Sequence, residues 1–338
     1  MKSQLKLFVF LLLITCTNMY GQVKQESFYP SRVKQMHFTS QGQDLQMSYI
    51  YEKSTKPRKR TVLLLHGKNF NMQYWDSTMT GLVNLGFDVI AVDQVGFGKS
   101  SMPHNYQYTF QQLAINTKTL LDTLSVDSAI ILGHSMGGML AIRFAIMYPE
   151  RVERLILEDP IGLEDWKQVV PYSSVDAEYE KELAKTPETA KKYMVDNYFH
   201  GEWIPRYDSL LNLNRAFYGS EKFKDYAWSM ALTSDMIYTQ PVCYELDKIK
   251  VPTLLIIGLK DRTAIGRERV TPEMASQLGN YADLGKKTAA AINGAELIEL
   301  EGVGHIPHVE NFKLFNEKLM HLLNVTQVNP IREKRLNK

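Results

Sequence analysis

The sequence predicts an α/β fold: a mostly parallel central sheet with helices on both faces and an inserted helical cap. Two observations carry this. Short, continuous apolar runs alternate with helical patterns along most of the 338 residues, the order that builds βαβ units and a parallel sheet. Between residues 161 and 248 that alternation stops, and an aromatic-rich helical stretch without a strand-like run replaces it.

The chain opens on something other than the fold. Lys2 and Lys6 lead into an apolar stretch at residues 7–14, followed by Thr15, Cys16, Thr17 and Asn18. A basic start and an apolar run too short to span a bilayer read as a signal peptide over residues 1–21, cleaved after Gly21. Met19 is not an ideal residue three before that cut. Lipid attachment at Cys16 is the weaker alternative, because Thr15 replaces the usual small residue, and an uncleaved anchor is a third. The expectation is therefore an exported protein, periplasmic or extracellular, with no integral membrane span once the signal is removed. Cys243 is then the single cysteine of the mature chain, so no intramolecular disulfide can form and the core must supply stability.

The strands follow in order. Val62-Leu63-Leu64-Leu65 runs into His66-Gly67, Val89-Ile90-Ala91-Val92 into Asp93, and Ala129-Ile130-Ile131-Leu132 into Gly133-His134-Ser135. Later come Leu155-Ile156-Leu157 before Glu158-Asp159-Pro160, Leu254-Leu255-Ile256-Ile257 before Gly258, and Leu297-Ile298-Glu299-Leu300 before Gly302. Uninterrupted apolar runs of this length suit strands buried on both faces. Between them, Phe110, Leu113, Ala114, Leu120, Leu121 and Leu124 recur at helical spacing behind a T-x-x-Q capping box at Thr109 and Gln112. Residues 136–148 are apolar nearly all round, a buried helix stopped by Pro149. The long connection from Asp261 to Gly294 is expected to hold a helix at residues 272–278. The domain reading is a core of residues 22–160 plus 249–325, a cap of 161–248, and a solvated basic tail at 326–338.

Composition excludes some functions. Thirty-nine basic against 37 acidic residues give a net charge of +2, which offers no field for nucleic acid or an anionic membrane. Gly98-Lys99-Ser100 looks like the end of a P-loop, but Asp93 stands where that pattern needs glycine. Gly96-Phe97-Gly98 would start a dinucleotide fingerprint, but Ser101 takes the third glycine position. No cofactor is expected. Pro307 between His305 and His308 argues against a helical metal face, so no metal is expected either.

The chemistry sits at Gly133-His134-Ser135-Met136-Gly137, a G-x-S-x-G sequence between a strand and a buried helix. So sharp a turn forces the serine to positive φ and brings the flanking chains too close for side chains, hence Gly133 and Gly137. Together with His66-Gly67, the segment from Asp93 to Ser100, Asp261, and Gly304-His305-Ile306-Pro307, this resembles the α/β-hydrolase fold family from about residue 40 to about residue 323. The resemblance implies the order nucleophile, acid, histidine: Ser135, Asp261, His305. Serine is a weak nucleophile at neutral pH, so His305 would take its proton, general base catalysis being worth about 10²–10⁴. Asp261 would fix the imidazole tautomer. Asp159 is the alternative acid and His308 the alternative histidine, while His134 is read as a packing or hydrogen-bonding residue. The resemblance also implies an oxyanion hole from the backbone N–H groups of Met136 and Lys68, with Asn69 as the near alternative.

The function expected is a serine esterase, carboxylesterase- or lipase-like, acting on a small-molecule substrate. The cap's Trp166, Tyr172, Tyr198, Phe199, Trp203, Tyr207, Phe217, Tyr218, Trp228, Met230 and Tyr238 are mostly packing residues, and some are expected to line a pocket for an apolar or aromatic acyl group. Hydrolysis of a C–C bond, lactone or amide on the same triad is the runner-up, and a non-hydrolytic ligand-binding protein is the reading from another class. Oligomeric state is left open.

Overall fold

The computed structural model describes residues 32–56 and 60–325; the signal peptide expected over residues 1–21 and the basic tail at 326–338 lie outside the described residues. Eight strands form one sheet: β1 (Lys34–Ser40), β2 (Gln43–Glu52), β3 (Thr61–Leu65), β4 (Asp88–Val92), β5 (Ala129–His134), β6 (Val152–Glu158), β7 (Thr253–Gly258) and β8 (Glu296–Leu300). Their spatial order is β1-β2-β4-β3-β5-β6-β7-β8. All six apolar runs are strands, and they pair in parallel from β4 through β8. The first two strands were not anticipated. They form an antiparallel hairpin that adds to β4 antiparallel as well; β1 is the edge strand with most of its residues solvated, while β2 is polar at its start and buried from Met47 to Ile50.

Strand alternation explains why the central runs carry no polar interruptions. Leu63, Leu65, Ile131, Leu155, Leu157, Leu255 and Ile257 face one apolar cluster. Val62, Leu64, Ile130, Leu132, Ile156, Leu254 and Ile256 face the other, so successive residues serve opposite layers. The first layer is closed by α2 (Phe110–Thr123), α3 (Met136–Met147) and α9 (Tyr281–Ala291), the second by α1 (Asp76–Asn84) and α11 (Phe312–Val325). Each fully buried aliphatic side chain contributes about 1.5–3 kcal/mol relative to exposure.

Between β6 and β7 the chain makes α4 (Val175–Leu183), α5 (Pro187–Asn197), α6 (Asp208–Arg215) and α7 (Phe223–Thr239), with no strand. Trp166, Tyr198, Phe199 and Tyr207 are buried there, whereas Tyr172 is exposed. After β7 come α8 (Pro272–Gln277) and then α9, which the sequence reading did not separate from the loop; α10 (Pro307–Glu310) follows β8. One local expectation needs correction. Thr109 caps α2 by accepting from the Gln112 backbone N–H at 3.0 Å, but the Gln112 side chain donates forward to Asn116 Oδ1, so the reciprocal half of the capping box is not made. Among the described residues, no helix is long and apolar enough to cross a membrane.

Candidate active site

The strand order reverses at β3 and β5: β4 lies on one side of β3, and β5 begins the other half of the sheet. Loops leaving the carboxyl ends of two such strands flank a crevice, and here they are the His66–Phe70 loop and the turn at Ser135. Ser135 has φ 56° and ψ −120°, a conformation that costs about 1–3 kcal/mol and is held only by its surroundings. Its backbone N–H donates to Glu158 O at 3.1 Å, and its carbonyl accepts from Gly138 and Met139. A Cβ at Gly133 would overlap the Gly137 carbonyl, and one at Gly137 would overlap those of Leu65 and His66. The two glycines are therefore spacing requirements of the turn, as the sequence suggested.

The structure brings Ser135, His305 and Asp261 together although 170 residues separate the first two. His305 Nε2 lies 3.0 Å from Ser135 Oγ, and His305 Nδ1 lies 2.6 Å from Asp261 Oδ2. A carboxylate can only accept, so Nδ1 carries the proton and Nε2 is free to accept the serine O–H. Asp261 Oδ1 accepts the Thr263 N–H at 2.8 Å, which fixes the carboxylate plane. Ser135 is 5 % exposed and both partners are fully buried. In such surroundings the line can move a proton from serine to imidazole while the carboxylate stabilises the imidazolium that results.

The alternatives are placed elsewhere. Asp159 is buried, with Oδ1 taking the Gly258 N–H at 2.9 Å and Oδ2 meeting no protein partner. Burial, with the Asp261 charge nearby, pushes its carboxyl well above the usual carboxylate range. His308 turns Nδ1 to the Glu158 carboxylate at 2.9 and 3.1 Å and stacks on Trp75, so it packs α10 onto β6. Asp93 accepts from the backbone of Met72 and Lys99, while Ser100 donates to its carbonyl; the glycine-rich segment is a structural loop. Among the described residues no group of three or more His, Cys, Asp or Glu is arranged to hold a metal ion.

Met136 opens α3, where the first N–H groups have no acceptor within the helix and the dipole favours negative charge. The facing loop is tied to the inserted helices through side chains. Lys68 Nζ donates to Glu182 of α4 at 3.2 Å, and Lys185 reaches the same carboxylate at 2.6 Å. Burial alone would raise the Glu182 carboxyl, but the two ammonium groups hold it down at about 2. Asn69 donates to Tyr198 Oη at 2.8 Å, and Asn214 donates to Asn69 O. Tyr198 also stacks on His305 with ring centroids 4.7 Å apart, and its carbonyl accepts the His305 N–H. In sequence Tyr198 was one aromatic among many; Tyr74, Glu158 and Glu182 gave no signal, because their partners are distant in the chain. A cavity of about 430 Å³ between core and insertion is lined by Tyr74, Leu210, Leu213, His308 and Phe312 among others, and by none of Ser135, His305 and Asp261.

This fold, with a serine at a strained strand-to-helix turn and an acid and histidine on later loops, defines the class. A family model of the alpha/beta hydrolase fold matches residues 60–312, and the chain belongs to that family. It is 48 % identical to a probable hydrolytic enzyme of Pseudomonas aeruginosa PAO1, with a TM-score of 0.85 over 88 % of this chain and 95 % of that one. It is also 27 % identical over 292 residues to a 2-hydroxy-6-oxononadienedioate/2-hydroxy-6-oxononatrienedioate hydrolase of Paraburkholderia phymatum, covering 83 % of this chain and 92 % of the relative. Lipase 1 of Psychrobacter immobilis is 26 % identical over 80 % of this chain and 81 % of its own.

Proposed function

We propose that this α/β hydrolase is an exported serine hydrolase that cleaves a carboxylic ester, or a similar acyl compound, of a small apolar or aromatic substrate. The observation that carries the reading is the buried line Ser135 Oγ, His305 Nε2, His305 Nδ1 and Asp261 Oδ2, at 3.0 and 2.6 Å. Ser135 attacks the acyl carbon as its proton passes to His305. The oxyanion is met by the N–H groups of Met136 and Lys68, each such donor being worth about 10²–10³ in turnover. Collapse expels the alcohol, which takes the proton back from the imidazolium. Water deprotonated by His305 then hydrolyses the acyl-enzyme and releases the acid.

The near-complete burial of Ser135 and His305 supports a small substrate. The aromatic face of Tyr198 over His305 supports an apolar or aromatic group, and the Lys68 charge is already met by Glu182. A second reading, hydrolysis of a C–C bond, draws on the match along nearly the full length of the Paraburkholderia phymatum hydrolase. The test is a panel of activated esters, lactones, amides and vinylogous 1,5-diketones, run alongside a fluorophosphonate label. Turnover of short aryl or alkyl esters with label on Ser135 is expected. Preference for the diketones selects the second reading, and folded protein that takes no label is a ligand-binding protein instead. Export rests on the basic and apolar start of the chain, outside the described residues. The exported protein is expected to begin at Gln22 by intact mass, and recovery of the complete leader on it overturns cleavage.

A further inference from the structure

Behind the triad-forming residues lies a run of hydrogen bonds that their chemistry does not use. His134, the residue before the nucleophile, is fully buried. Its Nε2 lies 2.6 Å from the carbonyl oxygen of His305, and its Nδ1 lies 3.0 Å from Tyr74 Oη. Tyr74 Oη in turn accepts the Gly67 N–H at 2.9 Å. These partners and the burial of the ring assign the protons. A carbonyl only accepts, so Nε2 must carry the hydrogen; burial among neighbouring histidines keeps the ring neutral, so Nδ1 presents a lone pair and Tyr74 donates its O–H to it. The direction is Gly67 N–H to Tyr74, Tyr74 O–H to His134 Nδ1, and His134 Nε2–H to His305 O. Each donor and acceptor in this series is used in one consistent sense.

We infer that His134 and Tyr74 are positioning residues, which set the distance between the oxyanion-donor loop and the catalytic imidazole by bracing both against the residue that precedes the nucleophile. This rests on the proposed roles of Ser135, His305 and Lys68. Gly67 immediately precedes Lys68, so the N–H that Tyr74 anchors is one residue from the donor assigned to the oxyanion. The packing allows little slack. A Cβ at Gly67 would sit 3.0 Å from His134 Nδ1 and 3.1 Å from the Ser135 Cβ, and the Tyr74 ring is held between Phe70, stacked at 4.8 Å, and the edge of His308 at 4.6 Å. Buried chains of this kind are rigid when fully satisfied, and misplacement of a reacting group by about 1 Å can cost roughly 10²-fold. Neither residue belongs to the hydrogen-bonded line of Ser135, His305 and Asp261, so the effect must appear through the groups they hold.

Tyr74→Phe keeps the ring and removes both the acceptor for Gly67 and the donor to His134. The expected result is a 10- to 100-fold fall in kcat with KM changed less than threefold. Affinity for a boronic acid, which mimics the tetrahedral adduct, should weaken in proportion to kcat/KM, while binding of the product acid is unchanged. His134→Asn places an amide where Nδ1 stood but withdraws the donor to His305 O, and the same split is expected with a smaller loss than in His134→Leu. Wild-type kinetics in Tyr74→Phe overturn the inference, as does a fall in thermal stability with kcat and boronate affinity both retained. Tyr74→Phe conserves volume, so it remains informative if the His134 variants fail to fold. Failure of the underlying reading is distinguishable, because wild-type protein would then take no fluorophosphonate label at Ser135.

Discussion

Ser135→Ala is expected to lower kcat on an activated ester by at least about 10⁴-fold, with no change of fold. The magnitude follows from what remains. The oxyanion donors and the binding surface would still be in place, and in serine hydrolases these alone leave about 10³–10⁴ over the uncatalysed rate after the nucleophile is removed. The fold should survive because Ser135 stands at the N-cap of α3 without making a side-chain cap bond; its Oγ meets His305 Nε2 instead. Alanine therefore forfeits no helix-capping energy, and the strain of φ 56° is carried by the serine already. A thermal midpoint within a few degrees of wild type, with turnover and fluorophosphonate labelling both lost, is the expected pattern. His305→Ala should lose about as much, because nucleophile and base act as a unit and their losses do not add. Retained turnover in Ser135→Ala would remove the acyl-enzyme from the mechanism.

The sequence made the central sheet and the nucleophile turn readable for one physical reason: both are local. A strand buried on two faces must be apolar at every position, as Leu63, Leu64 and Leu65 are, and a turn that admits no side chain must spell glycine at 133 and 137. The order Ser135, Asp261, His305 is what the resemblance to the α/β-hydrolase family implies, and the residues could be matched to it because each follows a strand that is itself legible. The rest depended on contacts distant in the chain. The hairpin of β1 and β2 lacks the all-apolar signature, since β1 is a largely solvated edge strand and β2 is partly exposed at both ends. Glu182 reads as one more charge on an exposed helix until the fold brings Lys68 to it across 114 residues. Tyr74 and His134 likewise meet across 60 residues, and the pattern of neither reveals the other. The choice between Asp159 and Asp261 was open in the sequence because each follows a strand end. It became a geometric question only when the Nδ1 of His305 was seen opposite Asp261 Oδ2.

That choice supplies the other large expected effect. Asp261→Asn should cost about 10³–10⁴ in kcat, the scale on which serine proteases suffer when the triad acid becomes an amide. The mechanism can be read from the hydrogen bonds. Thr263 N–H donates to Asp261 Oδ1 at 2.8 Å, so the asparagine carbonyl would take that bond and turn its NH₂ toward His305 Nδ1. A donor there forces Nδ1 to accept, moves the imidazole proton to Nε2, and leaves no base facing Ser135. Asp159→Asn should fall within about tenfold of wild type, because Oδ1 needs only to accept from Gly258 and an amide does so equally well. Burial and the Asp261 charge raise the Asp159 carboxyl well above the usual carboxylate range, so this exchange removes a group whose charged form the site disfavours. It also carries a pH signature. A carboxyl whose folded pKa lies above its unfolded value contributes stability below the unfolded value, about 3.9, and loses it as pH rises toward the folded one. Wild-type stability should therefore decline with pH across that window more steeply than that of Asp159→Asn. If Asp159→Asn were instead the inactive variant and Asp261→Asn the active one, the carboxylate serving His305 would be the one at the end of β6.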